Sequence, residues 1–294
     1  MRVGVVVVPE LPWEQASQQW RQLDEWRYDS AWTYDHLAWR TLADGPWFAT
    51  VPTLAAAALV TTRIRLGTFV ASPNFRHPVP FAKELMTLDD LSGGRFTLGV
   101  GAGSTGVDAR VLGDGDLTAG ERVARFGEFV ELLDLLLTGD HTTYDGTWFA
   151  AHDARMMPGC VQRPRLPFVV AANGPRAMQV AAKHGQGWVT TGVTSGDDGE
   201  ALWWAALEEV NERLDEALAA EDRAPIDIDR VLSVDGSGAF GLSSVEHFSD
   251  VLGRADELGF DEVVVHWPRP DGVYAGDPGA LEAVAVDVLP GLRR

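Results

Sequence analysis

Apolar positions along the chain fall into two recurring blocks. Short runs rich in β-branched residues, such as Val3–Val8, have no polar alternation, as a strand buried on both faces requires. Between them lie longer segments with apolar residues at helical intervals, such as Phe126, Phe129, Val130, Leu133 and Leu136 within Thr118–Leu137. The pattern predicts strands at Val3–Val8, Asp29–Tyr34, Ile64–Val70, Phe96–Val100, Phe168–Ala172, Gly187–Thr191, Val231–Val234 and Glu262–His266. Helices are predicted at Glu14–Trp26, Thr50–Val60, Val79–Leu91, Thr118–Leu137, from Pro175 onward, and at Leu202–Ala220, Val245–Leu258 and Leu281–Leu289.

This strand–helix rhythm, without a compositional break, predicts an α/β (β/α)8 TIM barrel forming one domain over residues 1–294. The length suits that fold, which takes about 250 residues. Residues 138–166 interrupt the rhythm between the fourth and fifth strands. They contain a predicted hairpin, Thr142–Phe149, around Asp145-Gly146, and then the proline-punctuated Pro158–Pro167. This segment is expected at the barrel mouth, where Trp148, Phe149, Met156 and Met157 either line the rim or pack the insertion down.

In a barrel, glycines at the two ends carry different meanings. Ser92-Gly93-Gly94-Arg95 follows a helix and precedes a strand, so it belongs to the bottom, where glycine serves a helix C-cap and tight turn. Gly99-Val100-Gly101-Ala102-Gly103-Ser104-Thr105 follows a strand and lies at the catalytic face. It is either a phosphate cradle of bare backbone N–H groups, with Ser104 or Thr105 adding a hydroxyl, or an ordinary flexible loop. Asn173-Gly174-Pro175-Arg176 opens a helix and makes a second anion site, with Arg176 on the phosphate or in solvent. Thr190-Thr191-Gly192 could offer hydroxyls to the same anion. Asp35-His36 ends the second strand, where His36 either shuttles a proton or caps the barrel. Trp39 and Trp47 could wall the pocket. His77 could order its own loop, and His266 at the last strand end faces either the chemistry or the rim packing.

Composition removes several function classes. Asp and Glu outnumber Lys and Arg 43 to 24, a net charge of −19, so neither nucleic acid nor an anionic membrane surface is an expected partner. No stretch approaches the roughly 18 apolar residues of a membrane span, and Met1–Val8 is too short for a signal-peptide core. Cys160 is the only cysteine, which excludes an intrachain disulfide and suits a cytoplasmic protein. The 7 histidines show neither His-x-His nor HExxH spacing, so no metal site is expected. The 11 tryptophans suit either a cavity for a flat ligand or the barrel–helix interface.

Six segments, in this order and spacing, carry a resemblance. They are Tyr28-Asp29-Ser30-Ala31-Trp32 with Asp35-His36; Arg63-Ile64-Arg65-Leu66-Gly67-Thr68; Arg76-His77-Pro78; Leu88-Asp89 with Leu91-Ser92-Gly93-Gly94-Arg95; Leu98-Gly99-Val100-Gly101-Ala102-Gly103; and Ala171-Ala172-Asn173-Gly174-Pro175-Arg176-Ala177. With them the chain resembles the bacterial luciferase-like flavin and deazaflavin oxidoreductases, from Val3 to about Thr191 and more weakly through Phe260–Trp267. The resemblance implies a TIM barrel holding the deazaflavin coenzyme F420, or alternatively reduced FMN, at its mouth; Asp35-His36 matches the F420 branch better. It further implies a ring near Asp35-His36, a non-proline cis peptide behind it at Phe69–Val70, and a phosphate on the Gly101-Ala102-Gly103 and Asn173-Gly174 loops. Hydride transfer with a small organic substrate follows, with His36 as proton route and Asp35 orienting the site. The alternatives are an FMN-dependent monooxygenase and a cofactor-binding barrel without turnover. The family's sugar-phosphate dehydrogenases carry a glutamate where this chain has Ser104, and their basic clamp is not evident, which argues against a sugar-phosphate substrate. A homodimer is expected from the family alone.

Overall fold

The computed structural model describes residues 1–113, 115–193 and 199–292. Its first half runs β1 (Arg2–Val6), α1 (Trp13–Glu25), β2 (Ser30–Thr33), α2 (Thr50–Val60), β3 (Arg65–Thr68), α3 (Pro78–Leu91) and β4 (Phe96–Gly101). A single-turn α4 (Val107–Arg110) and the long α5 (Ala119–Thr138) follow, then a two-stranded hairpin, β5 (His141–Asp145) and β6 (Ala150–Arg155). The second half runs β7 (Phe168–Ala171), α6 (Pro175–His184), β8 (Gly187–Thr190), α7 (Glu200–Ala220), β9 (Asp229–Ser233), α8 (Val245–Glu257), β10 (Glu262–His266), α9 (Gly279–Asp287) and α10 (Leu289–Leu292). Eight parallel strands close in the order β1-β10-β9-β8-β7-β4-β3-β2, the expected TIM barrel. Among the described residues no helix is long and apolar enough to cross a membrane.

Both faces of each barrel strand are buried, which explains the unbroken apolar runs, but the two faces meet different neighbours. Val5, Val7, Val263, Val265 and Val170 pack outward into the large core beneath the helices. Val6, Val264, Val169, Val189 and Val231 point inward, where they surround Trp32. The indole leaves no room for a side chain on the next strand. A Cβ on Gly67 would lie 2.4 Å from Trp32 Cζ3. The interior is therefore packed at mid-height, as in other barrels of this kind.

Most tryptophans serve the outer core. Trp20, Trp188 and Trp203 are wholly buried, and Trp188 stacks on Phe260. At the barrel bottom, Gly93 (φ 63°) and Gly94 (φ 81°) turn the chain out of α3. Arg95 there donates to the Ala58, Thr61 and Ile64 carbonyls and so caps the C-terminus of α2. The glycine pair is structural.

The mouth position expected for residues 138–166 is not what the structure shows. The segment leaves the C-terminus of α5, at the opposite end of the barrel. The hairpin climbs the outside of that helix, because Glu128 accepts the Thr147, Trp148 and Phe149 amides at 3.0, 2.8 and 2.6 Å. Phe149 ends against Phe129 and the edge of His77. Met156 and Phe149 are core residues, and Trp148 packs against that core. His77 itself caps α3, accepting from the Val79 amide.

The return path is fastened by Arg165. This buried guanidinium donates to Asp134, the Leu166 and His184 carbonyls and Gln186, and lies over the Phe168 ring. Burial opposes ionisation of Asp134, but hydrogen bonds from His184 and Arg165 outweigh it and hold its carboxyl down at about 2, against an ordinary 3.8. A carboxylate depressed on folding adds stability above its unfolded pKa and loses it as pH falls from about 4 to about 2. Replacing Asp134 by Asn is expected to cost roughly 1–2 kcal/mol at neutral pH, after allowance for its partial exposure. Urea unfolding should show the gap between variant and wild type closing below pH 3; a gap that persists there would mean the aspartate acts through packing alone.

Candidate active site

The inward stripe of each strand continues past the strand's C-terminal end, and there it surrounds a cavity of about 1120 Å³. On β2 the stripe is Ser30, Trp32, Tyr34 and His36; on β10 it is Glu262, Val264 and His266. Of the residues marked in the sequence, His36, Phe69, Val70, Gly101, Ala102, Gly103, Ser104, Asn173, Thr190 and Thr191 line this one cavity. Asp35, Gly174 and Arg176 do not. Asp35 stands one residue out of phase with His36, so its side chain leaves on the other face of the sheet. There it pairs with Arg76 through two hydrogen bonds of 2.7 and 3.1 Å and is 1% exposed. The expectation that Asp35 orients the site is thus replaced by a structural role: it fastens the end of β2 to the approach to α3. Gly174 and Arg176 open α6 on the exposed surface, outside the cavity lining.

One wall is almost bare of side chains. Gly101 is required because a Cβ would lie 2.9 Å from Val70 Cγ2 and 3.3 Å from Ala171 Cβ. Gly103 has φ +73°, and its Cβ would meet the Asn74 amide at 2.6 Å. Asn74 clamps the loop from behind: it donates to the Ser104 carbonyl and accepts from Arg125. Among the described residues the Gly103, Ser104 and Thr105 amides have no acceptor within the protein. Phe69–Val70 is a cis peptide at the cavity floor. Asn173 and Thr190 are committed to each other at 2.6 Å, and with Gly192 they tie the ends of β7 and β8 together.

The facing walls are polar. His36 Nδ1 is hydrogen-bonded to Asp108, a buried carboxylate that also accepts the Leu37 amide at 2.8 Å. α4 places Asp108 there; it was not legible in the sequence, because a single helical turn after a glycine loop leaves no periodicity to read. Across the cavity, Asp235 Oδ2 accepts both the backbone N–H of His266 (2.8 Å) and its Nδ1 (2.7 Å). The carboxylate can only accept, so Nδ1 carries the proton and Nε2 is the acceptor. Nε2 lies 2.6 Å from Tyr34 Oη, which lies 2.8 Å from Tyr274 Oη. Burial, reinforced by Tyr274 and Asp235, pushes the Tyr34 phenol well above its ordinary range, and burial raises Tyr274 as well. Both phenols are donors at neutral pH. Trp39 walls this side, with its ring 5.1 Å from Tyr34. Trp47 packs behind Tyr34 and donates to the His36 carbonyl. Among the described residues no three metal-ligating side chains gather where an ion could be held.

The site therefore offers an amide-rich loop over an apolar floor, facing two histidines that are each oriented by a carboxylate. A family model described as luciferase-like monooxygenase matches residues 1–237. The chain is 33% identical to an F420-dependent glucose-6-phosphate dehydrogenase of Beutenbergia cavernae, with 90% of this chain and 89% of that protein covered. It is 37% identical to the 4-hydroxyprotoasukamycin monooxygenase of Streptomyces nodosus subsp. asukaensis over 65% of this chain and 52% of that protein. Its fold is similar to that of the coenzyme F420-dependent tetrahydromethanopterin reductase of Methanopyrus kandleri, with a TM-score of 0.76, 17% identity and 99% of each chain covered. A barrel with these strand ends and a match across four-fifths of its length places this chain within the luciferase-like monooxygenase family.

Proposed function

We propose that this protein is an F420-dependent oxidoreductase that moves a hydride between the deazaflavin and a small, uncharged organic substrate. The observation that carries this reading is the glycine loop. Its Gly103, Ser104 and Thr105 amides find no acceptor among the described residues and sit beside a floor of Val70, Ala171 and Val189, which suits a flat ring with a phosphate tail. Relatives across nearly the whole chain are named as F420-dependent enzymes, which supports the choice of cofactor. When bound, the deazaflavin supplies a ring carbon that takes or gives hydride. The chain's own residues bind the phosphate through these amides and the Thr191 hydroxyl, and exclude water by the Trp32 plug below. His36, held through Nδ1 by Asp108, presents Nε2 to the cavity as a proton-exchanging group.

A phosphorylated substrate fits poorly, although several relatives are named glucose-6-phosphate dehydrogenases. Among the described residues lining the cavity, Arg40 is the one Lys or Arg, and the wall opposite the glycine loop holds the Asp235 carboxylate. A sugar phosphate would bring about two negative charges to that wall, where Arg40 is the single described cation to receive them beside the Asp235 carboxylate.

Fluorescence titration should show F420 binding more tightly than FMN, and exclusive FMN binding would reverse the assignment. Gly103→Ala should weaken F420 binding about tenfold or more, since the new Cβ collides with Asn74 in a left-handed conformation.

Turnover can be followed with cyclohexanone as a neutral hydride acceptor. His36→Ala should lower kcat roughly 100-fold, and Asp108→Asn about tenfold. Asp35→Asn should leave kcat near wild type and lower Tm, because it breaks a buried ion pair worth about 3–5 kcal/mol on removal of one partner. A large kcat loss in Asp35→Asn with unchanged Tm would restore Asp35 to the chemistry.

A further inference from the structure

The Asp235–His266–Tyr34–Tyr274 chain is used by nothing above, and it is a built device. Four polar side chains from the ends of β9, β10 and β2 and from the following loop form one unbranched line, with contacts of 2.7, 2.6 and 2.8 Å. While Nε2 of His266 accepts, the line donates inward, Tyr274 to Tyr34 and Tyr34 to Nε2; a proton on Nε2 turns both phenols to donate outward. Asp235 is held further by the Gly241 amide at 2.8 Å, and His266 is 2% exposed. Only the outer end, Tyr274, is half-buried. Its ring lies flat on His266 at 3.6 Å, and its backbone has φ 61°, a strained conformation for a residue with a bulky side chain. Arg269 enforces that conformation. It bonds the Tyr274 carbonyl through its backbone N–H, the Asp271 and Val273 carbonyls through its side chain, and Glu10 through a paired salt bridge.

Resting on the oxidoreductase reading above, we infer that Tyr274 is a catalytic residue that binds the substrate's hydroxyl or carbonyl oxygen, and that Tyr34, His266 and Asp235 relay the substrate's proton, while His36, held by Asp108 next to the glycine loop, serves the cofactor. The substrate class is then a small neutral alcohol or the matching ketone or aldehyde. In alcohol oxidation the C–H electron pair leaves as hydride to the deazaflavin, and the O–H proton moves to the Tyr274 oxygen. The Tyr274 proton passes to Tyr34, and the Tyr34 proton to His266 Nε2. The products are a C=O bond, reduced cofactor and an imidazolium facing the Asp235 carboxylate. Carbonyl reduction is the same path reversed. A buried, carboxylate-backed imidazole can take that proton, whereas a lone phenol at neutral pH cannot.

The probe is carbonyl-13C-labelled cyclohexanone, titrated into the protein with and without F420 and observed by NMR. Titrated at falling pH, wild type should shift the carbonyl signal downfield once Nε2 of His266 carries a proton and Tyr274 donates outward, as expected for a hydrogen-bonded ketone. Tyr274→Phe should abolish the shift and lower kcat/KM roughly 100-fold, with F420 affinity unchanged within about twofold. Tyr34→Phe and Asp235→Asn should reduce the shift, and Asp235→Asn should remove the downfield imidazole proton of His266, a signature that lost packing alone would not mimic. A carbonyl signal unmoved by wild type, or moved equally by Tyr274→Phe, overturns the inference, as does its loss in His36→Ala alone. Failure of F420 to bind would instead sink the cofactor reading, because the cofactor-free titration reads the relay by itself.

Discussion

Side-chain alternation in a closed eight-stranded barrel is the constraint from which the site follows. Each strand has one inward stripe, and closure leaves that stripe no surface other than the barrel axis. The stripes begin at the bottom with Arg65, Asp229 and Glu262, pass through valines and Trp32, and emerge at the top as Tyr34, His36, Ser233, Asp235 and His266. The mid-height packing of Trp32 against Gly67 separates the charged floor from the cavity above. A slip of one residue in β2 or β10 would turn His36 or His266 out under the helices. Register, fixed by pairs such as Val6 with His266 and Thr33 with Thr68, is therefore a condition of the chemistry as well as of the fold.

The two sides of the cavity use opposite means of handling charge. The glycine wall works by removing side chains, so that backbone dipoles meet a ligand directly. The facing walls bury carboxylates and satisfy them with backbone amides: Leu37 for Asp108, and Gly241 and His266 for Asp235. A buried carboxylate without such donors would leave polar oxygens unsatisfied; with them it is fully bonded and fixes the tautomer of the histidine beside it. Two imidazoles with opposite surroundings result. His36 is half-buried near the rim, while His266 lies beneath two phenols.

Much of this was legible in the chain itself. Thr50–Val60 and Glu262–His266 have the predicted bounds, because an alanine-rich helix and a valine run with sharp flanks admit few readings. The glycine loop after β4 was placed at the mouth by the barrel rule alone, and the Phe69–Val70 cis peptide by family resemblance. The placing of Asp35 beside His36 in the site conflicts with strand geometry: the two are neighbours, so one faces the axis only if the other does not. The expected mouth position of residues 138–166 fails because a hairpin joining a helix to a strand starts at the bottom by topology, whatever its aromatic content suggests. Asp108 and Tyr274 were beyond reach. Both lie on irregular chain, and their partners are 72 and 240 residues away.

With the hairpin outside, the described wall of the cavity comes from the segments after β2, β3, β4, β7, β8, β9 and β10. That changes where selectivity resides. A long mobile insertion could accommodate varied substrates by moving, whereas three of these wall segments are pinned: Asp108 holds the chain after β2 to α4, Asn74 holds the glycine loop, and Arg269 with Glu10 holds Tyr274. A site whose polar groups are fixed before binding loses little entropy on engagement, but it tolerates little misfit. Discrimination would then come from the Tyr274 oxygen, which is bonded to Tyr34 and keeps its remaining hydrogen-bonding capacity for a substrate oxygen. A substrate lacking an oxygen at that point forgoes that bond, a loss comparable with that of a methylene along the Trp39 wall.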